Sequence, residues 1–214
     1  MPEVIKTTVY TLGELDSHAK ERARDWYRQA SSHDDWHEFI FEDFERVCAI
    51  LGVSLKTRPV RLYGGGTRQE PCIWFSGFSS QGDGGCFEGA YRYRNGAARE
   101  IRAYAPQDQR LAKIADALQQ VQRKNLYTLE ATITHYGRYT HEYCMAISVE
   151  RASETGQPPT EGAQEIVIEA LRDLARWLYR QLEREFDYQN SDEVVDESIE
   201  ANGYTFTEEG RRFG

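Results

Sequence analysis

The sequence predicts an α+β fold, an antiparallel sheet with helices packed on one face and a long C-terminal helix. Two segments alternate with period two around a turn: Tyr127, Leu129, Ala131 and Ile133, then Tyr143, Met145, Ile147 and Val149. The residues between them, Thr128, Glu130, Thr132, Thr134, Glu142 and Ser148, are polar, and one wet and one buried face mark an antiparallel sheet. Further along, Val167, Ala170, Leu171, Leu174, Trp177, Leu178, Leu182 and Phe186 recur at helical spacing. Mean hydropathy is low at -0.70. However, 13 Tyr, 9 Phe and 4 Trp in 214 residues exclude a disordered chain, because aromatics are what such chains lack. The length suits a single domain over 1–214, with a linker-like loop at 151–162 and an acidic C-terminal segment at 183–214.

Taken in order, Val4–Tyr10 is a β-branched run that predicts a strand. Thr11 and Glu14 have capping-box spacing, and Asp16 and Ser17 offer a second helix start. Leu15, Ala19, Ala23, Trp26, Tyr27 and Ala30 then follow helical spacing. A second helix is expected from Asp34 to Leu51, with Trp36, Ile40, Phe44, Val47 and Leu51 on one face and Gly52 as its stop. Val53–Tyr63 reads as extended, Pro59 marks an edge, and Gly64–Gly66 ends it. A first hairpin pairs Cys72–Phe78 with Cys86–Tyr93 across the loop Ser79–Gly85, with Cys72 and Cys86 facing each other as small hydrophobes.

Pro106 opens a helix carrying Leu111, Ile114, Ala115, Leu118 and Val121 and closing near Asn125. In the second hairpin, a turn centred on Arg138 sets Ile133 opposite Tyr143 and Leu129 opposite Ile147. The stretch Arg151–Gly162, with Pro158 and Pro159, leads into the longest helix, Thr160 to about Asp187. Ser191 caps a short acidic helix, Asn202-Gly203 turns the chain, and Tyr204–Thr207 adds an edge strand. No apolar run reaches membrane-spanning length, and the polar opening of the sequence predicts no secretory signal. Cys48, Cys72, Cys86 and Cys144 form no CxxC pair, so the expected setting is a reducing one, the cytoplasm of a host cell.

Charge is unevenly placed. The chain carries 26 basic and 35 acidic residues, a net charge of -9. From Glu183 to Glu209 there are ten acids and one base, so this segment alone accounts for the whole net charge. Between Arg92 and Lys113 the balance reverses, with six bases against Glu100 and Asp108. Acids flanking the apolar stripe of Leu182, Phe186, Val194 and Ile199 suit a basic protein surface. On this reading Asp192, Glu193, Asp196 and Glu197 bind a partner, and reversing them to Lys leaves the fold intact. In the Ser79–Gly85 loop, Gln81 and Asp83 are the candidate recognition residues, among glycines that permit close backbone approach. As an alternative, Arg92, Arg94, Arg99 and Arg102, interleaved with Tyr91, Tyr93 and Tyr104, form a nucleic-acid candidate.

Metal and catalytic signals are weak. His33 and His37 stand four apart but lack the glutamate of HExxH, and His135 and His141 would face each other near the second hairpin's tip. Neither pair is expected to bind metal. Gly64-Gly65-Gly66-Thr67-Arg68 lacks the lysine of a P-loop. No Ser–His–Asp, Cys–His or paired-carboxylate arrangement follows from the spacing. The expectation is therefore a chain with no catalytic residues, no cofactor and no metal.

Three stretches carry a resemblance. Val9–Asp16 followed by Ala19–Arg28, the Gly77–Gly84 run Gly-Phe-Ser-Ser-Gln-Gly-Asp-Gly, and Ser191–Asn202 with Tyr204–Gly210 together resemble a family of small proteins carried by bacterial phages, prophages and plasmids. Gly13 departs from the pattern, where the family usually has an acid. Members are often labelled as the antitoxin of a toxin–antitoxin stability system. The resemblance implies a non-enzymatic protein of a mobile element that binds and neutralises a host or defence-system protein, as an antitoxin-like, anti-CRISPR or anti-restriction factor. The alternatives are a nucleic-acid binder using residues 92–113 and a metal- or nucleotide-dependent enzyme. Association into a homo-oligomer stays open.

Overall fold

A computed structural model describes residues 6–31, 36–153 and 156–214. The chain divides into two compact units, one formed by residues 38–183 and the other by 1–37 with 184–214. The architecture is α+β, and no helix among the described residues is long and apolar enough to cross a membrane.

The larger unit is built on a four-stranded antiparallel sheet. Its strands are β1 (Val53–Leu55), β6 (Gly89–Arg92), β7 (Leu129–His135) and β8 (Met145–Arg151), in the spatial order β1-β6-β7-β8. The register aligns Val53, Tyr91, Ala131 and Val149 in one row across all four strands, and each is buried. Alternation along β7 buries Leu129, Ala131 and Ile133 and leaves Thr132 and Thr134 exposed, which is the period-two pattern read from the sequence. The helices are α2 (Glu38–Leu51), α3 (Ala97–Tyr104), α4 (Gln109–Lys124) and the 163–183 part of α5 (Ala163–Gln189). Gln122 of α4 is fully buried and stitches helix to sheet: its Nε2 donates to the Leu129 carbonyl at 2.7 Å and to the Tyr91 hydroxyl at 3.2 Å, and its Oε1 accepts the Leu129 N–H at 3.0 Å. Phe44 of α2 packs edge-on to Phe87 and stacks against Trp177 of α5. Gly52 ends α2 at φ 86°, where a Cβ would run into the Arg92 carbonyl.

Two smaller ribbons complete this unit: β2 (Thr57–Arg61) with β3 (Thr67–Pro71), and β4 (Ile73–Phe75) with β5 (Gly85–Phe87). Gly64–Gly66 thus closes a hairpin rather than ending a lone extended segment. β3 is absent from the sequence reading because Thr-Arg-Gln-Glu-Pro has no apolar alternation to mark it. The first hairpin is shorter than expected, since the chain leaves β5 at Glu88 and joins the main sheet as β6. Trp74, not Cys72, lies opposite Cys86.

Within the paired strands the second hairpin keeps its faces but not its register, whereas Tyr127 and Tyr143, expected on the buried face, fall outside the strands and are exposed. Ile133 pairs with Ile147 and Leu129 with Arg151, four residues from the expected pairing, because a 3-10 turn at Glu142–Cys144 occupies the tip. An even shift preserves which face each residue takes. His135 consequently lies opposite Met145, not His141.

Helix starts moved for identifiable reasons. α4 begins at Gln109 because Asp108 accepts the Arg110 and Leu111 N–H groups, and Pro106 sits in the turn after α3, a helix hidden in the arginine-rich stretch. α5 begins at Ala163 because Thr160 is engaged by Asn125. α2 begins at Glu38. His33 and Asp34 lie outside the described residues, and Trp36 and His37 form a turn.

The smaller unit contains α1 (Ser17–Ala30), α6 (Asp192–Ala201), the 184–189 end of α5, and the ribbon β9 (Thr205–Phe206) with β10 (Arg212–Phe213). Asp16 caps α1 and Ser191 caps α6, as their positions predicted. Leu12, Ala23, Val195, Ile199 and Phe206 form its core, with Trp26, Tyr27 and Tyr204 packed against them. The expected strand Val4–Tyr10 reduces to a single bridge between Tyr10 and Phe206; residues 6–9 take no strand, and Val4 and Ile5 lie outside the described residues.

Candidate functional site

In the larger unit, the β4–β5 loop, the β7–β8 tip and one face of α5 converge. The loop is closed by the Ser76 N–H donating to the Gly84 carbonyl at 3.0 Å. The Asp83 carboxylate accepts the N–H groups of Ser79 at 3.1 Å and Ser80 at 2.7 Å. Phe78 stacks between Phe75 and Tyr179, and the Tyr179 hydroxyl donates to the Gly77 carbonyl at 2.7 Å. Burial, with Asp83 and Glu183 nearby, pushes that hydroxyl up to about 12. Gly84 lies against the tip, where a Cβ would stand 3.0 Å from the His141 ring and 3.1 Å from the Thr140 carbonyl.

The tip is rich in tyrosine. Tyr136, Tyr139 and Tyr143 are 57%, 58% and 54% exposed, unusual for three large rings on one hairpin end. Each is held in place. The Tyr136 hydroxyl donates to the Tyr143 carbonyl at 2.9 Å, and the Arg138 guanidinium donates to the Tyr139 hydroxyl at 2.7 Å while lying 4.9 Å over its ring. Arg172 and Arg176 of α5 sit 5.0 and 5.6 Å over Tyr143. Arg176 also donates to Glu142 at 2.8 Å, Glu169 at 2.6 Å and Asp173 at 2.8 Å. Burial works against its charge, but the three carboxylates outweigh that and raise its pKa further.

This arrangement presents rigid aromatic area and guanidinium groups, the composition of a binding surface. The carboxylates around Arg176 are committed to it, and no group of three or more His, Cys, Asp or Glu among the described residues is placed to hold a metal ion. Burial pushes the Cys86 thiol up to about 12 and raises Cys48 and Cys72 above the ordinary thiol range, so all three are protonated at neutral pH.

The residues singled out from the sequence separate. Gln81 is exposed at the crown of the β4–β5 loop, inside this site. Asp83 is beside it, but its carboxylate holds the loop. Asp192 and Asp196 belong to the other unit and are not a free acidic face. Arg24 grips both oxygens of Asp196 at 2.7 and 2.8 Å and reaches Asp192 at 2.6 Å, Arg28 reaches Asp192 at 2.6 Å, and Lys20 lies 3.2 Å from Asp196. Reversing all four acids would therefore set Lys against three cations of α1, which corrects the expectation of an intact fold. Glu193 and Glu197 remain exposed. The four arginines are all exposed; Arg92 pairs with Glu130 at 3.3 Å, Arg94 with Glu100 at 3.0 Å and Arg102 with Asp116 at 2.5 Å. Sequence reasoning missed Tyr136, Tyr139, Tyr143, Arg172 and Arg176. The signal was available in part: three tyrosines, Tyr136, Tyr139 and Tyr143, fall close together at a hairpin end where no core demands them.

The family model of a domain of unknown function, DUF8835, matches residues 36–192, most of the chain. The chain belongs to this family. The matched span contains the whole of the larger unit, and with it every element of the tyrosine site. No curated protein and no solved structure matches the DUF8835 chain.

Proposed function

We propose that this DUF8835 protein is a non-enzymatic binder encoded by a phage or other mobile element, which covers and neutralises a host or defence-system protein in the host cytoplasm. Antitoxin-like, anti-CRISPR and anti-restriction action all fall within that reading. The observation that carries it is the convergence of Tyr136, Tyr139 and Tyr143 with Arg138, Arg172 and Arg176 around the Gln81 loop. Tyrosine and arginine dominate the energetics of protein interfaces, and rings already fixed by hydrogen bonds lose little entropy on docking. The resemblance to mobile-element proteins supports the class of partner.

The test is affinity capture from host-cell lysate after nuclease treatment, comparing the native chain with Tyr136→Ala/Tyr139→Ala and with Gln81→Ala. Truncating a central interface tyrosine typically costs about 2 kcal/mol, close to thirtyfold in affinity. A protein retained by the native chain and lost by the double variant, with thermal stability unchanged, supports the reading. Capture that disappears with nuclease, or that is indifferent to both variants, refutes it.

A further inference from the structure

From Val53 to Arg61 the chain runs along one edge, first as β1 beside β6 and then as β2 beside β3. The Arg92 N–H donates to the Gly52 carbonyl, and the Lys56 N–H donates to the Glu88 carbonyl. The Cys72 N–H donates to the Lys56 carbonyl, and the Leu62 N–H donates to the Gly66 carbonyl. Antiparallel alternation therefore turns the backbone groups of residues 52, 54, 56, 58, 60 and 62 toward β6 and β3, which follow each other on one side. The residues between them turn theirs to the other side. Val53 is buried and Pro59 has no N–H, so this edge is open at Leu55 and Thr57. The N–H and carbonyl groups of those two residues have no partner among the described residues.

A concavity of about 490 Å³ borders the opening, lined by Val53, Ser54, Leu55 and Thr57 together with Ala49 of α2 and Tyr93. Arg92 and Arg94, also in its lining, are already paired with Glu130 and Glu100, so charge does not select the occupant. What remains to be satisfied is main chain: two donors and two acceptors that repeat about 6.6 Å apart, the pattern an added strand matches. Leu55 is half-buried, and an apolar side chain on the neighbouring strand would cover its remaining surface. At the opposite edge of the sheet, β8 turns residues 145, 147, 149 and 151 outward, but Gln164 of α5 donates to the Val149 carbonyl at 3.1 Å and closes part of it. A second copy of the chain suits the open edge poorly, because pairing Leu55 with the second copy's Thr57 sets Lys56 directly against Lys56.

We infer that the β1–β2 edge takes an extended segment of a partner protein as a fifth strand of the main sheet, held by the backbone groups of Leu55 and Thr57, with an apolar side chain beside Leu55. Main-chain hydrogen bonds then supply the affinity, and the concavity reads alternate side chains of the segment. This edge is distinct from the tyrosine face and does not rest on it.

A phage-displayed library of random nine-residue peptides, panned against the whole chain, supplies the probe. Enriched sequences should alternate apolar and polar residues. Synthetic copies should slow hydrogen exchange at the Leu55 and Thr57 amides and leave those of Ser54 and Lys56, which already serve β6, unchanged. N-methylation along the peptide should weaken binding with period two. Each methyl on a residue facing β1 removes one main-chain hydrogen bond, a loss of about two- to tenfold, and those between should have little effect. Thr57→Pro removes an outward donor and no internal hydrogen bond, so thermal unfolding should match the native chain while peptide affinity falls about tenfold. Thr57→Val keeps the donor and should bind as the native chain does. If Thr57→Pro does not fold, exchange and the N-methyl series on the native chain decide. The inference is overturned if no peptide is enriched, if the protected amides lie elsewhere, if N-methylation shows no period of two, or if folded Thr57→Pro binds as tightly as native. A dimer of the free chain that Thr57→Pro breaks would make a second copy the occupant, and overturns the assignment to a partner's strand.

Discussion

Asp196→Ala separates an acidic docking face from an internal clamp. Arg24 holds both Asp196 oxygens, and the two side chains are only 16% and 22% exposed, so the pair falls between surface and core. Exposed pairs contribute about 0.2–1 kcal/mol, and breaking a fully buried one costs about 3–5. The expected loss for Asp196→Ala is therefore about 2 kcal/mol at pH 7, with most of it reappearing as coupling energy in a cycle with Arg24→Met. Hydrogen exchange reads this locally: the slowest α1 amides should exchange about thirtyfold faster, since 1.4 kcal/mol is a factor of ten. Glu193→Ala and Glu197→Ala should stay within about 0.5 kcal/mol of the native chain. The hydrogen bonds from Arg24 hold the Asp196 carboxyl below the ordinary aspartate range. A depressed folded-state pKa means that the clamp is at full strength above the unfolded value near 3.9 and is lost as pH falls through the folded one. The gap between native chain and variant should accordingly close toward pH 2. Exchange rates within threefold of native at pH 7, or a gap that does not depend on pH below 4, would refute the clamp.

Two further substitutions probe the larger unit. Leu126 follows α4 at φ 54° while the Tyr127 N–H closes back on the Gln122 carbonyl, a helix end that ordinarily takes glycine, and the leucine side chain is 70% exposed. Relief of about 1–2 kcal/mol of left-handed strain, less about 0.5–1 for the freer unfolded chain, predicts that Leu126→Gly raises Tm by up to about 6 °C; a lower Tm in calorimetry contradicts it. Gln122→Leu would strand the buried N–H and carbonyl of Leu129, at about 1–3 kcal/mol each, so urea unfolding should show a loss of about 2–6 kcal/mol. A loss under 1 kcal/mol would mean that the sheet does not depend on this residue.

The tyrosine site was only partly legible. Gln81 was reached because the Gly-rich loop announces itself by composition, and Asp83 because turns favour it. The assignment of Asp83 to recognition could not be separated from its structural role, since accepting the Ser79 and Ser80 N–H groups is a property of the folded loop. Arg172 and Arg176 sit on a helix about 30 residues from Tyr143, and no spacing rule links them. Asp192 and Asp196 read as free charge because their partners Arg24 and Arg28 lie more than 160 residues away.

What the sequence determined by itself is what repeats locally: the helical stripes of α1, α2, α4 and α5, the caps at Asp16 and Ser191, and the inward and outward faces of β7 and β8. These follow from hydrogen bonds and side-chain periods spanning a few residues, so a short window contains their cause. Tertiary structure alone decided the rest. The β7–β8 register moved by four residues because an even slip leaves every face unchanged, and alternation cannot tell the two pairings apart. Within the β2–β3 ribbon, β3 left no hydrophobic trace because its residues stay largely exposed. The fate of the acidic segment was set by charges distant along the chain, and electrostatic pairing depends on distance in space, which only the fold supplies.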